Sequence, residues 1–171
     1  MTRVLFQSNA DRTSSATALC EALGEALRAA GHMAEVRVLV EGGSRREKML
    51  APLRITRARW RALRRAEVVI VPTAVVFSAF EIVMARLMGK RVKVIFWDQY
   101  PEGFTALGQR GRWFYGPWKL AERGLLRLSH GLMPPSADYL PEIEAMGMGE
   151  KACVQPMWPF TQVHAPPMRQ G

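Results

Sequence analysis

The segment Phe96-Trp97-Asp98-Gln99-Tyr100-Pro101-Glu102-Gly103 sets two carboxylates four residues apart among aromatic rings. Aromatic faces and carboxylates together suit the two sides of a sugar, its apolar ring face and its hydroxyls. A carboxylate in such a place can also take a proton from a hydroxyl. Asp98 is therefore the candidate base, and Trp97, Tyr100 and Glu102 are candidates for binding; a turn capped by Asp98 with a solvated Glu102 is the plainer alternative. A second polar segment, Ser8 to Ser15, stands just ahead of a helical pattern. Hydroxyls and open backbone N–H groups at a helix start favour an anion, which makes Ser8, Asn9, Asp11, Thr13 and Ser14 candidates. No GxGxxG fingerprint accompanies them, and ordinary capping by Ser14 or Ser15 is the competing reading. Thr73, after a buried-strand pattern, and Ser136, in Pro134-Pro135-Ser136-Ala137-Asp138, complete the set. Val75 and Phe77 read as core, and Ser136 or Asp138 as a cap for the next helix.

The basic residues are concentrated. The chain of 171 residues has a net charge of +9. Between Arg45 and Arg65 stand nine basic residues and one acid, Glu47, so this stretch carries +8. Arg110 to Arg127 adds five basic residues against Glu122. The remainder is net acidic. A local patch of this kind points to a phosphate-rich partner. Arg54, Arg57, Arg59, Arg61, Arg64 and Arg65 surround Trp60, while Arg110 and Arg112 precede Trp113. Arginine interleaved with aromatic rings suits the headgroup level of an anionic membrane. Stacked nucleobases would suit it too, but with no nucleic-acid-binding motif in the chain the membrane is the favoured partner.

These groups need a scaffold, and hydrophobic periodicity supplies one. Arg3 to Gln7 reads as a strand, and Leu19, Ala22, Leu23, Ala26, Leu27 and Ala30 as a helix stopped by Gly31. Glu35 to Val40 alternates as a second strand. In the basic stretch Ile55, Ala58, Ala62 and Ala66 form a narrow apolar stripe, with arginines on the remaining circumference. Val68 to Val71 is a β-branched run of the kind buried on both faces of a parallel sheet. Ala74 to Met88 reads as one helix, Val92 to Trp97 as a strand, Trp113 to Leu128 as a helix and Gly131 to Met133 as a short strand. Asp138 to Met146 reads as a short helix and Ala152 to Gln155 as a last strand. The expected fold is α/β: a single Rossmann-like doubly wound, mostly parallel sheet of five to six strands with helices on both faces. Residues 1–158 would form this domain, and the Pro-rich 159–171 a tail or interdomain linker.

Composition excludes several classes. With 49% apolar residues the chain can bury a sizeable core. Cys20 and Cys153 are too few for a disulfide framework, and His32, His130 and His164 are too scattered for a metal site. The longest uncharged apolar run, Val68 to Phe80, is interrupted by Pro72 and falls short of the roughly 20 residues a membrane helix needs. A cytoplasmic protein, soluble or peripheral, is expected.

The order of segments resembles the N-terminal domain of GT-B glycosyltransferases of the family 4-like group. The matching parts are Ala66 to Val71, Ala74 to Met88, Gly89-Lys90 and Val92 to Phe96. Next, Trp97-Asp98-Gln99-Tyr100-Pro101-Glu102 looks like the family's Asp-x-x-Pro-Glu loop. Leu120 to His130, Met133 to Ser136 and Val154-Gln155-Pro156-Met157-Trp158 follow in the same sequence. Trp97 stands where the family often has a histidine, and the first loop has no glycine pair. The resemblance covers about Ala66 to Trp158 and implies an acceptor-binding half. A glycan or lipid-linked acceptor would bind it, and Asp98 would orient or deprotonate the acceptor hydroxyl. A second GT-B-type C-terminal domain or subunit would bind the nucleotide-sugar co-substrate, with no metal or covalent cofactor. Its expected place is the inner face of the cell membrane.

Two other classes compete. Ser8 to Thr17 also resembles the phosphate loop of flavodoxin-like FMN-dependent NAD(P)H reductases, with Pro72 to Phe77 as the isoalloxazine loop. A basic adaptor that binds membrane or nucleic acid without chemistry is the other.

Overall fold

The computed structural model describes residues 1–8, 14–38, 56–72, 75–96 and 108–155. Five strands, β1 (Arg3–Ser8), β2 (Met33–Val38), β3 (Val68–Pro72), β4 (Arg91–Ile95) and β5 (Gly131–Met133), form one sheet in the order β2-β1-β3-β4-β5. Every pairing is parallel. This is the doubly wound order, in which the direction of strand addition reverses between β1 and β3; in such folds ligands bind beyond the carboxyl ends of the strands at that point. Sequence and topology agree here: continuous β-branched runs make strands that can be buried on both faces. Val69, Val71, Val92 and Val94 are fully buried in the main core on one face, and Ile70 and Ile95 are buried on the other, although Lys93 of β4 stays exposed.

The two faces are covered unequally. Helix α1 (Ser15–Ala29) packs Leu19, Cys20, Leu23 and Leu27 on Val4, Phe6 and Ile70. Its Gly24 lies so close to the edge strand that a Cβ there would stand 2.9 Å from Val36 Cγ2. The helix ends at Gly31, whose φ of 82° suits only glycine. The opposite face carries α2 (Arg57–Arg65), α3 (Ala79–Leu87) and α4 (Gly108–Leu128), which meet Leu5, Val69, Val94 and Leu132 in the main core. A last short helix, α5 (Leu140–Ala145), adds Ile143 to that core. Full burial of Leu63, Ile82 and Leu126 contributes about 1.5–3 kcal/mol for each side chain.

Several boundaries differ from the sequence reading. The span from Ala74 begins as a 3-10 turn, Val75–Ser78, and becomes α-helical only at Ala79. The expected sixth strand is reduced to one parallel bridge, Leu132 to Ala152, extended by Cys153 N–H to Leu132 O and Gln155 N–H to Pro134 O. On α2 the inward stripe is Arg59, Ala62 and Leu63, with Ala66 just beyond; Ala58 faces solvent. Residue 55, and the ends expected at Val40 and Trp97, lie outside the described residues.

Candidate functional site

At the carboxyl end of β1 three hydroxyls form a chain. Ser8 is fully buried, and its Oγ shares a hydrogen bond of 2.7 Å with Oγ1 of Thr17. Ser14, the N-cap of α1, accepts from Thr17 N–H at 3.1 Å and donates to Thr17 Oγ1 at 3.1 Å. The end of β1 is thereby tied to the first turn of α1, the place where backbone N–H groups and the helix dipole favour an anion. Gln7, also buried, reaches Ser8 O and Arg37 O from Nε2 with long contacts of 3.5 Å. From the sequence Thr17 enters only as the end of the Ser8 to Thr17 phosphate-loop resemblance, not as a candidate in its own right. Its signal was its spacing, three residues after a capping serine and on the inward side of the helix.

Ser136 stands at the carboxyl end of β5, after buried Pro134. Its Oγ accepts from Asp138 N–H at 3.2 Å and donates to Asp138 Oδ2 at 2.7 Å. This is the capping role that the sequence allowed, here for the 3-10 turn Ala137–Tyr139. Between β1 and β5, β4 ends in fully buried Ile95 and then Phe96, which meets Tyr139 edge-on at 6.2 Å between ring centroids. Phe77, expected in the core, is half-buried and packs edge-on against Trp118 of α4 at 5.3 Å. Asn9, Asp11, Thr13, Thr73, Trp97, Asp98, Tyr100 and Glu102 lie outside the described residues. What the fold brings together among the described residues is Ser8, Ser14 and Thr17, while Ser136 sits three strands further along the same end of the sheet.

The arginine patch divides into two populations. Arg57, Arg61, Arg64 and Arg65 are exposed on α2, and Trp113 is exposed on α4. Arg59 is a correction. It is buried, and its guanidinium forms a two-pronged ion pair with fully buried Glu81 of α3, Nε to Oε1 and Nη2 to Oε2, the latter at 2.7 Å. The same guanidinium lies 4.9 Å from the centre of the Phe80 ring. Inward spacing with Ala62 and Leu63 takes it off the surface, and a buried charge requires a partner of opposite sign. Trp60 is half-buried and tilted against Phe80 at 6.3 Å, so it too belongs to this junction. Arg54 lies outside the described residues, as do the side chains of Arg110 and Arg112.

Two open grooves lie elsewhere. One of about 530 Å³ at the amino end of the strands is lined by Arg3, Arg28, His32 and Arg65. A second, of about 560 Å³, runs beside β2 between Arg37 and Arg61. Neither includes a residue of the carboxyl-end set. Among the described residues no group of three metal-binding side chains occurs, and no helix is long and apolar enough to cross a membrane. No known family matches the chain, and comparison with curated proteins finds no match either.

Proposed function

We propose that the chain is the acceptor-binding half of a glycosyltransferase of cell-surface glycan or glycolipid synthesis, held at the cytoplasmic face of the membrane. The observation that supports it most is an order of parts. A parallel α/β sheet carries, directly after its fourth strand, the run Trp97-Asp98-Gln99-Tyr100-Pro101-Glu102. In doubly wound folds that end of the sheet is where ligands bind. Asp98 accepts the proton of the acceptor hydroxyl as its oxygen bonds to the anomeric carbon of the donor. The bond from that carbon to the nucleoside diphosphate breaks, and the electron pair leaves with the diphosphate. The nucleotide-sugar is held by a second GT-B-type domain or subunit, while Trp97, Tyr100 and Glu102 bind the acceptor glycan.

The test is ligand-observed NMR with a short-chain polyprenyl-phosphate-linked hexosamine and, separately, a uridine diphosphate sugar. Binding of the first, weakened in Trp97→Ala and retained in Asp98→Asn, supports the reading. Binding of the nucleotide-sugar alone at the same sites contradicts it.

One observation favours a second reading, a flavodoxin-like reductase. The strand order 2-1-3-4-5 and the Ser8–Thr17–Ser14 hydroxyl chain occur together where such folds hold the phosphate of FMN. A yellow purified protein with flavin absorbance, and loss of that absorbance in Ser14→Ala, would decide for it.

A further inference from the structure

Helices α2, α3 and α4 contain two acids, Glu81 and Glu122, and the fold turns both inward. Glu81 pairs with Arg59, and Glu122 with Lys119 at 3.2 Å. The outward surface of the three helices therefore carries no carboxylate among the described residues. It does carry cations: Arg57, Arg61 and Arg64 on α2, with Arg61 at the margin of the groove beside β2 and Arg65 lining that groove, and Arg123 and Arg127 on α4. Between and beside them large apolar groups face water. Trp113 is 84% exposed, Leu120 75% and Phe114 69%, and on α3 Leu87 is 75% exposed. Along α4 the exposed positions Trp113, Pro117, Leu120, Gly124 and Leu128 recur at spacings of four, three, four and four, which is one continuous stripe.

All three helices pack on the same face of the sheet, so these groups share one outer surface. A solvated helix face mixes charge signs and buries its leucines. This one does neither. Apolar side chains at the centre with arginines beside them match the two layers of a bilayer interface, acyl boundary and anionic headgroups. A second copy of the chain would bring arginine against arginine and is disfavoured by the same charges.

We propose that the outer surface of α2, α3 and α4 is a docking face for an anionic lipid bilayer, with Leu87, Trp113, Phe114 and Leu120 inserted and the arginines at headgroup level. The proposal rests on the membrane part of the reading above, and lipid binding and sugar binding are measured separately, so each can fail alone. Docking lays the sheet parallel to the membrane. The carboxyl ends of the strands then open sideways, one helix layer or about 10 Å above the lipid, where the headgroup of a lipid-linked acceptor would stand.

The full chain is sedimented with vesicles of phosphatidylcholine alone and with phosphatidylglycerol added. The expected result is binding only to the anionic vesicles. Removal of Arg61 or Arg64 as alanine should weaken it by about fivefold each at low salt, and Leu120→Asp by about tenfold or more. All three positions are exposed, and an unchanged melting curve for each variant shows that folding is intact. Blue-shifted fluorescence on vesicles that is lost in Trp113→Tyr would place that ring in the lipid. Three results overturn the proposal: equal sedimentation of all variants, binding to a polyuridine RNA with none to vesicles, or a dimer that Leu120→Asp dissociates.

Discussion

Arg59 of α2 and Glu81 of α3 form a buried, two-pronged ion pair, with side chains 6% and 0% exposed. It joins two helices that also meet in the apolar core through Ala62, Leu63, Ile82 and Ala85, and Phe80 and Trp60 close over it. Its consequence for the surface is indirect. By locking α2 against α3 it sets which arginines face outward.

Removing one partner leaves an uncompensated buried charge, which costs about 3–5 kcal/mol. Glu81→Gln and Arg59→Met should each lower the urea unfolding free energy by that order. Arg59→Met combined with Glu81→Leu should recover much of the loss. A single variant within about 0.5 kcal/mol of the parent would show that the pair contributes nothing.

The hydroxyl chain at the start of α1 is weaker and more local. Ser14→Ala removes the N-cap and should cost about 1 kcal/mol. Thr17→Val keeps the volume but leaves Ser8 Oγ without its 2.7 Å bond, and should cost about 1–3 kcal/mol. Equilibrium denaturation of the two variants checks both, and equal stability of all three proteins would contradict the described network.

His130 gives a pH dependence. Its Nδ1 accepts from Val92 N–H at 3.0 Å, and Arg86 lies against the ring. Desolvation, then the charges of Arg86, Lys151 and Arg91, hold its pKa below the ordinary 6.5. The unfolded chain therefore binds this proton more readily. The stabilising contribution is complete above about pH 6.5 and is lost as pH falls through the lowered value. His130→Asn should flatten the acid limb of the stability profile. Histidine proton resonances titrating below 6.5 would confirm the cause, and a midpoint above 6.5 would contradict it.

The two thiols should differ sharply. Burial, with a smaller effect of Glu21, pushes Cys20 up to about 12, whereas Cys153 is exposed. The thiolate is the reactive form, so native protein should give one fast-reacting thiol with a chromogenic disulfide and a second only on unfolding. Cys153→Ser should abolish the fast phase. Two fast thiols would mean that the α1 interface opens readily.

Much of the scaffold was legible because it rests on composition. Val68 to Val71 and the alternation in β2 have few alternatives as strands, and Gly31, Gly89 and Gly147 all take the left-handed conformation, with φ of 82°, 70° and 72°. The inward turn of Arg59 was not legible, since an arginine among arginines has the same helical spacing whether or not a carboxylate waits across the core. Only Glu81, set in the apolar run of the next helix, hinted at it. Of the apolar stripe from Trp113 to Leu128 only Trp113, beside its arginines, was legible as a surface group: periodicity finds an apolar face but does not say what covers it. The carboxyl-end serines were legible as candidates. Thr17, which links two of them, was hidden inside the helix pattern.

The central claim is that this chain holds a glycan acceptor at the carboxyl ends of its strands. The most direct measurement is an amide NMR titration of the labelled protein with the short-chain polyprenyl-phosphate-linked hexosamine. Shifts concentrated at Ser8, Ser14, Thr17, Ser136 and the Trp97–Glu102 run are expected, with none from the uridine diphosphate sugar alone. Shifts confined to the grooves around Arg3 and Arg37, or saturation by the nucleotide-sugar alone, would contradict it.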